Sequence, residues 1–224
     1  MPYSHFNQLD DVNRLIILSN PKTILDIGVG FGTYGFLSRQ FLDIADGRND
    51  YGNWLRTIDG IEVFDRYLTP VHKFIYNQIF IGNACDIVPR LKKQYDLVLL
   101  VDVIEHLQED RGKKLLLDCV KKGRNLIIAT PKDIGGQGAV FGNQFEAHRC
   151  QWQAKDFDMF SDKFFVKHPD AFIVFIGKDA EMMKHKWLKE KQKFFLRKFS
   201  PHLYNFLWQT RDKVFGRKNR PQSF

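Results

Sequence analysis

The chain has 224 residues, 44% of them hydrophobic, with three cysteines and a formal net charge of +8. That length suits one α/β domain plus an extension, and the apolar content suffices for a buried core, which excludes a disordered polymer. No run approaches the ~18 apolar residues of a membrane-spanning helix, and the first residues lack the basic start and apolar stretch of a secretory signal, so a cytoplasmic protein is expected.

The charge is unevenly spread. Residues 181–224 hold 12 Lys/Arg against three acids, a surplus of +9, which leaves residues 1–180 at −1. The two segments are therefore taken as a domain (1–180) and a basic, aromatic-rich helical appendix (181–224). A nearly neutral domain argues against a nucleic-acid substrate, whose enzymes carry basic charge on the working face. Cys85, Cys119 and Cys150 are far apart and without metal-ligand spacing. They read as reduced thiols, and no metal site is expected.

In chain order, a helix is predicted over residues 7–19, where Leu9, Val12, Leu15 and Ile16 share a face, and Asn20-Pro21 stops it. A buried strand follows at 23–27, then glycines at 28, 30 and 32, and a helix over 33–44. The polar stretch 46–53 reads as an insertion. Strands at 57–63, 78–81, 96–101 and 125–129 alternate with helices at 67–77, 87–93 and 110–121. A long glycine-containing loop occupies 132–151, a short helix 155–160, and a strand pair 164–167 and 171–176. Apolar strands separated by helices predict a doubly wound, Rossmann-like, mostly parallel seven-stranded sheet.

The segment Asp26-Ile27-Gly28-Val29-Gly30-Phe31-Gly32 lies between a strand and a helix. Glycines there allow a ligand close to the backbone, and the helix start favours a negative group. Gly30-x-Gly32-x-x-Gly35 also matches a dinucleotide fingerprint, so an NAD(P)-binding oxidoreductase is a competing expectation, as is a non-catalytic cofactor-binding or membrane-associated module that kept the fold. Three features favour S-adenosylmethionine. Asp26 closes the strand where a cationic ammonium would sit. Glu62 ends the second strand, where a carboxylate accepts from both ribose hydroxyls. Gly82-Asn83-Ala84 ends the third strand, where an adenine edge would lie.

These segments together resemble class I S-adenosylmethionine-dependent methyltransferases over residues 20–178. Residues 24–32 resemble the family's first motif, Gly82-Asn83-Ala84 its Gly-Asp-Ala adenine motif with Asn in place of Asp, and Asp102-Val103-Ile104-Glu105-His106-Leu107 the D-V-[IL]-E-H-L motif of one bacterial branch. The resemblance implies that Asp26 and the backbone at Gly28 and Gly30, within the Gly28, Gly30, Gly32 loop, hold the methionine portion. It gives Glu62 the ribose, Asn83 and Ala84 the adenine, and Asp102 and Val103 the floor near the sulfonium. Against this stand plainer roles: Asn83 as a turn residue, Asp102 as a helix cap, Glu62 as a solvated acid.

Methyl transfer from a sulfonium is mainly a matter of positioning, with a base required only for an acceptor that keeps its proton. His106, after the fourth strand, and Glu146 and His148, in the loop after the fifth, border the expected crevice. His148 is taken as base or acceptor-orienting group with Glu146 and Arg149 in support; the plainer alternative is that these residues pin the loop. The acceptor is expected to be a small molecule or glycan presenting a hydroxyl or amine. In the appendix, aromatics flanked by Lys/Arg fit an anionic membrane surface, on the inner face of a membrane; packing on protein and contact with nucleic acid remain alternatives.

Overall fold

The computed structural model describes residues 6–45, 53–202 and 204–205. The chain divides into two compact units, residues 1–183 and 184–224. In the first unit, α1 (Phe6–Ser19) precedes β1 (Thr23–Ile27), α2 (Thr33–Ser38) with a π-helical continuation (Arg39–Ile44), and β2 (Thr57–Glu62). Then come α3 (Pro70–Ile75), β3 (Gln78–Ile81), α4 (Ala84–Ile87), β4 (Tyr95–Val101), α5 (Glu109–Lys122) and β5 (Gly123–Pro131). β6 (Lys163–Val166), β7 (Ala171–Gly177) and α6 (Ala180–Phe199) complete the order, α6 running on into the second unit.

The seven strands form one sheet in the order β3-β2-β1-β4-β5-β7-β6. The pairs from β3 across to β5 are parallel, and β7 is antiparallel to both β5 and β6. The expected Rossmann-like, mostly parallel seven-stranded sheet with a C-terminal helix is therefore the observed one. β1 and β4 are covered on both sides: Ile24, Leu25, Leu97, Val98, Leu99 and Leu100 have no accessible surface. The chain leaves β1 in one direction and returns at β4 beside it, so a crevice opens outside the carboxyl ends of these two strands.

Several local expectations shift. The helix predicted over 67–77 begins only at Pro70, with Thr69 in an extended N-cap conformation and a capping box to His72. Proline fixes the first helical residue and pushes its predecessor out of the helical region. The helix predicted over 87–93 lies earlier, as α4 followed by a 3-10 turn (Val88–Arg90), because the Asn83 side chain accepts from the Cys85 N–H and starts the helix there. Most of the insertion expected at 46–53 lies outside the described residues, as does the end of the helical appendix expected over 181–224.

Arg39 ties the first half of the sheet layer together. Its buried guanidinium donates to the carbonyls of Ile75 (2.8 Å) and Arg56 (2.7 Å), to Asn77 Oδ1 (2.8 Å) and to Asp43 (2.8 Å). A planar five-donor group suits such a site, where a lysine would leave carbonyls unpaired.

In the second unit, the helix to Phe199 exposes Leu188, Phe194, Phe195 and Phe199 among its lysines. Among the described residues no helix is long and apolar enough to cross a membrane.

Candidate active site

A cleft of about 720 Å³ lies at the carboxyl ends of β1, β2, β3 and β4. This is the place where doubly wound sheets hold ligands. Its walls include Gly28 and Gly30 after β1, Glu62 at the end of β2, Asn83 and Ala84 after β3, and Asp102 and Val103 after β4. His106 and Glu146 also line it. The structure thus gathers nine of the twelve sequence-selected site residues around one opening. Asp26, Gly32 and His148 are not among the lining residues.

The loop after β1 is held open by its backbone. Gly28 and Gly30 have positive φ (76° and 51°), and Gly28 N–H donates to the Ile61 carbonyl on β2 (2.8 Å). A Cβ on Gly28 would stand 2.7 Å from Val103 Cγ2, so the floor residue and the loop approach each other only because Gly28 has no side chain. His72, buried at 1% exposure, supports the loop from beneath. Its Nδ1 faces the Thr69 N–H (3.0 Å), which only donates, so Nε2 carries the proton and donates to the Gly30 carbonyl (2.9 Å).

Glu62 is fixed in the same way. Its Oε2 accepts from Gly30 N–H (3.0 Å) and its Oε1 from Phe64 N–H (2.9 Å). Burial pushes its carboxyl above the ordinary range, and these N–H groups pull it back. Each oxygen keeps lone pairs, so a rigid acceptor faces the cleft.

Asp26 has another environment. Its Oδ2 accepts from the Tyr76 hydroxyl (2.6 Å), and both groups are buried. Burial raises its carboxyl from 3.8 to about 7 despite that bond. The side chain therefore braces the rear of the loop through Tyr76 rather than facing the opening. Gly35 makes this pairing sterically feasible, since a Cβ there would lie 2.5 Å from the Tyr76 hydroxyl. Gly32, with φ of 86°, starts α2 and faces His72.

Asn83 spends one lone pair of its carbonyl on the Cys85 N–H (2.9 Å), so it is a helix cap that also borders the cleft. Asp102 is not the cap of the turn that follows, a position held by Val103. It adopts a left-handed φ of 53°, and its Oδ2 accepts from Gln8 Nε2 (2.6 Å). α1 thereby reaches the site, which its amphipathic pattern did not announce.

The loop 132–151 folds back over the turn after β4. Arg149 and Cys150 N–H donate to the Glu105 carbonyl (2.8 and 3.2 Å), and His148 N–H donates to the Gln137 carbonyl (3.0 Å). Glu146 Oε1 accepts from Tyr67 (3.0 Å) and from Asn143 Nδ2 (3.3 Å). The pinning role and the lining role thus coexist in one segment. His106 and His148 have ring centroids 5.1 Å apart. Burial lowers the His106 imidazole below its ordinary value and, with Asp102 nearby, raises the Glu105 carboxyl well above its own. Tyr67, Asn143, Phe145 and Gln8 were not selected from the sequence. Asn143 lay inside the long loop 132–151 that also carries Glu146 and His148, but Tyr67 carried no distinguishing signal.

No family model and no curated protein matches the sequence. Solved structures do match the fold. The chain is similar to an O-methyltransferase family protein from Burkholderia thailandensis, with TM-score 0.54 and 14% identity over 76% of this chain and 55% of that one. It is similar to the N-terminal domain of EvdMO1, solved in the presence of S-adenosylhomocysteine (SAH) and D-fucose, with TM-score 0.56 and 13% identity over 78% and 84% of the two chains. PigF with SAH gives TM-score 0.53 and 17% identity over 77% and 55%. The chain spans little more than half the length of the first and third of these. The fold is the Rossmann-like fold of these methyltransferases.

Proposed function

We propose that the chain is an S-adenosylmethionine-dependent methyltransferase. The observation that carries this is the fixed carboxylate of Glu62, aimed into a cleft whose other walls are the glycine loop, Asn83-Ala84 and Asp102-Val103. In this reading the ribose hydroxyls donate to Glu62, the adenine lies along Asn83 and Ala84, and the methionine portion meets the backbone at Gly28 and Gly30. Asp26 and Gly32 support that loop from outside the cleft. The antiparallel β7 between β5 and β6 departs from the 3-2-1-4-5-6 order of dinucleotide-binding sheets and so favours this cofactor over NAD(P). Neighbours of the same fold solved with SAH support the same choice.

The acceptor, a small molecule or glycan with a hydroxyl or amine, enters beside His106, Phe145 and Glu146. Its oxygen or nitrogen attacks the methyl carbon in line, the carbon–sulfur bond breaks, and SAH leaves as a neutral thioether. His106 and Glu146 are the lining groups placed to receive the acceptor's proton, with His148 behind His106. Calorimetric titration of the protein with SAH and, separately, with NAD tests the proposal. Stoichiometric SAH binding, lost in Glu62→Ala, is expected; NAD binding without SAH binding refutes it.

We further propose that the appendix, residues 181–224, meets an anionic membrane surface. The support is the exposed Phe194, Phe195 and Phe199 interleaved with Lys191, Lys193 and Lys198.

A further inference from the structure

We infer that Glu105, His106 and His148 form a binding site for a divalent transition-metal ion at the edge of the cleft. The sequence spacing did not suggest it, because two ligands come from the 3-10 turn after β4 (Ile104–His106) and the third from the loop after β5. The loop is fastened to that turn by the two N–H donors on the Glu105 carbonyl. One ligand atom from each of the three side chains lies within 4.8 Å of those of the other two. Donors held roughly 2.0–2.2 Å from one tetrahedral ion stand about 3.4 Å apart, so an ion closes the site by drawing the ligand atoms together by up to about 1.4 Å.

The protonation pattern matches that role. His106 Nδ1 faces the Ala147 carbonyl (3.4 Å) and His148 Nδ1 faces the Ile134 carbonyl. Carbonyls only accept, so Nδ1 carries the proton in both rings, which leaves Nε2 as the nitrogen that can bind an ion. Metal-bound histidines are oriented by this same kind of backbone bond on the second nitrogen. Glu105, at 1% exposure, accepts from Thr130 Oγ1 (3.1 Å) through Oε2. A buried carboxylate with a neutral hydroxyl as its side-chain partner is costly unless a cation joins it. Two imidazoles and one carboxylate leave coordination positions open, and this mixed donor set suits Zn²⁺, Mn²⁺ or Fe²⁺ better than Mg²⁺, which favours oxygen.

His106 also lines the cleft, together with Asp102 and Glu146, so an ion held there would border the acceptor side. A hydroxyl bound there loses its proton more readily. With both imidazoles engaged, Glu146 is the group left to take that proton. The hydroxyl oxygen then bonds to the methyl carbon as the carbon–sulfur bond breaks, its electron pair passing to sulfur. This role rests on the methyl-transfer reading; binding of the ion does not.

The test is calorimetry on chelator-stripped full-length protein with Zn²⁺, Mn²⁺ and Mg²⁺ in separate titrations, and SAH in parallel. One Zn²⁺ or Mn²⁺ per chain is expected, with Mg²⁺ much weaker. Affinity should fall roughly tenfold or more in His148→Ala and in Glu105→Gln, while SAH affinity in His148→Ala stays within about threefold, since that ring lies off the cleft lining. Should Glu105→Gln fail to fold, as judged by its circular dichroism melt, His148→Ala decides alone. Absence of stoichiometric Zn²⁺ and Mn²⁺ binding in the wild type, or unchanged affinity in the folded variants, overturns the site. Metal binding without SAH binding sustains the site and refutes the methyltransferase reading instead.

Discussion

Replacing Asp26 with asparagine removes a carboxylate that the fold holds against its preference. Burial raises its titration from 3.8 to about 7, the Tyr76 hydroxyl only partly offsetting the cost. Below pH 3.8 the group is protonated whether the chain is folded or not, and stability does not depend on it. Between 3.8 and about 7 the folded chain keeps the proton and the unfolded chain loses it, so wild-type stability falls as pH rises through this window. Above about 7 the loss is complete. At ~1.4 kcal/mol per pH unit, the fall between pH 5 and pH 8 amounts to about 3 kcal/mol. Asparagine keeps one acceptor for Tyr76 but brings a buried amide, a cost of about 1–3 kcal/mol that does not vary with pH. The Asp26→Asn substitution is therefore expected to destabilise the fold at pH 5 and to match or exceed the wild type at pH 8. Urea unfolding at pH 5, 6, 7 and 8 measures both proteins. The difference in unfolding free energy should move toward the variant by about 3 kcal/mol across the series. A difference that stays constant with pH means Asp26 is not held protonated, and the account of it as a buried brace fails.

Three further outcomes follow from other parts of the structure. His72→Ala removes the donor on the Gly30 carbonyl, and SAH affinity should drop about tenfold with a loss of roughly 1–2 kcal/mol in stability; an unchanged dissociation constant sinks its role in positioning the loop. Arg39→Ala leaves the buried Asp43 with the partly buried Arg56 as its only cationic partner among the described residues, and should lower the unfolding free energy by about 3–5 kcal/mol in denaturant melts. For the appendix, co-sedimentation with vesicles containing phosphatidylserine should exceed that with neutral vesicles and weaken in the double variant Phe194→Ser, Phe195→Ser. Each basic residue near such a surface adds about 1 kcal/mol, so equal sedimentation with both vesicle types at low salt counts decisively against membrane contact.

Local pattern alone determined much of this protein. Period and punctuation placed β1, β3 and β4 at or within a residue of their ends, because a buried strand between a helix stop and a glycine loop has few alternatives. The residues that ring the cleft were legible for a related reason. In a doubly wound sheet every parallel strand delivers its last residue to the same edge, so Gly28, Glu62, Asn83 and Asp102 needed only correct strand ends to converge. Tertiary structure decided what each of them faces. Asp26 and Tyr76 are 50 residues apart, and nothing local says that a hydroxyl seals the carboxylate behind the loop. Gln8 reaches Asp102 across 94 residues. The Glu105, His106 and His148 cluster likewise has no spacing signature, since its ligands sit on two connections whose proximity follows only from β4 lying beside β5 and from the loop being pinned across the turn. Short-range sterics and hydrophobic period fix elements and their ends; pairings between distant side chains depend on packing that no window of sequence contains.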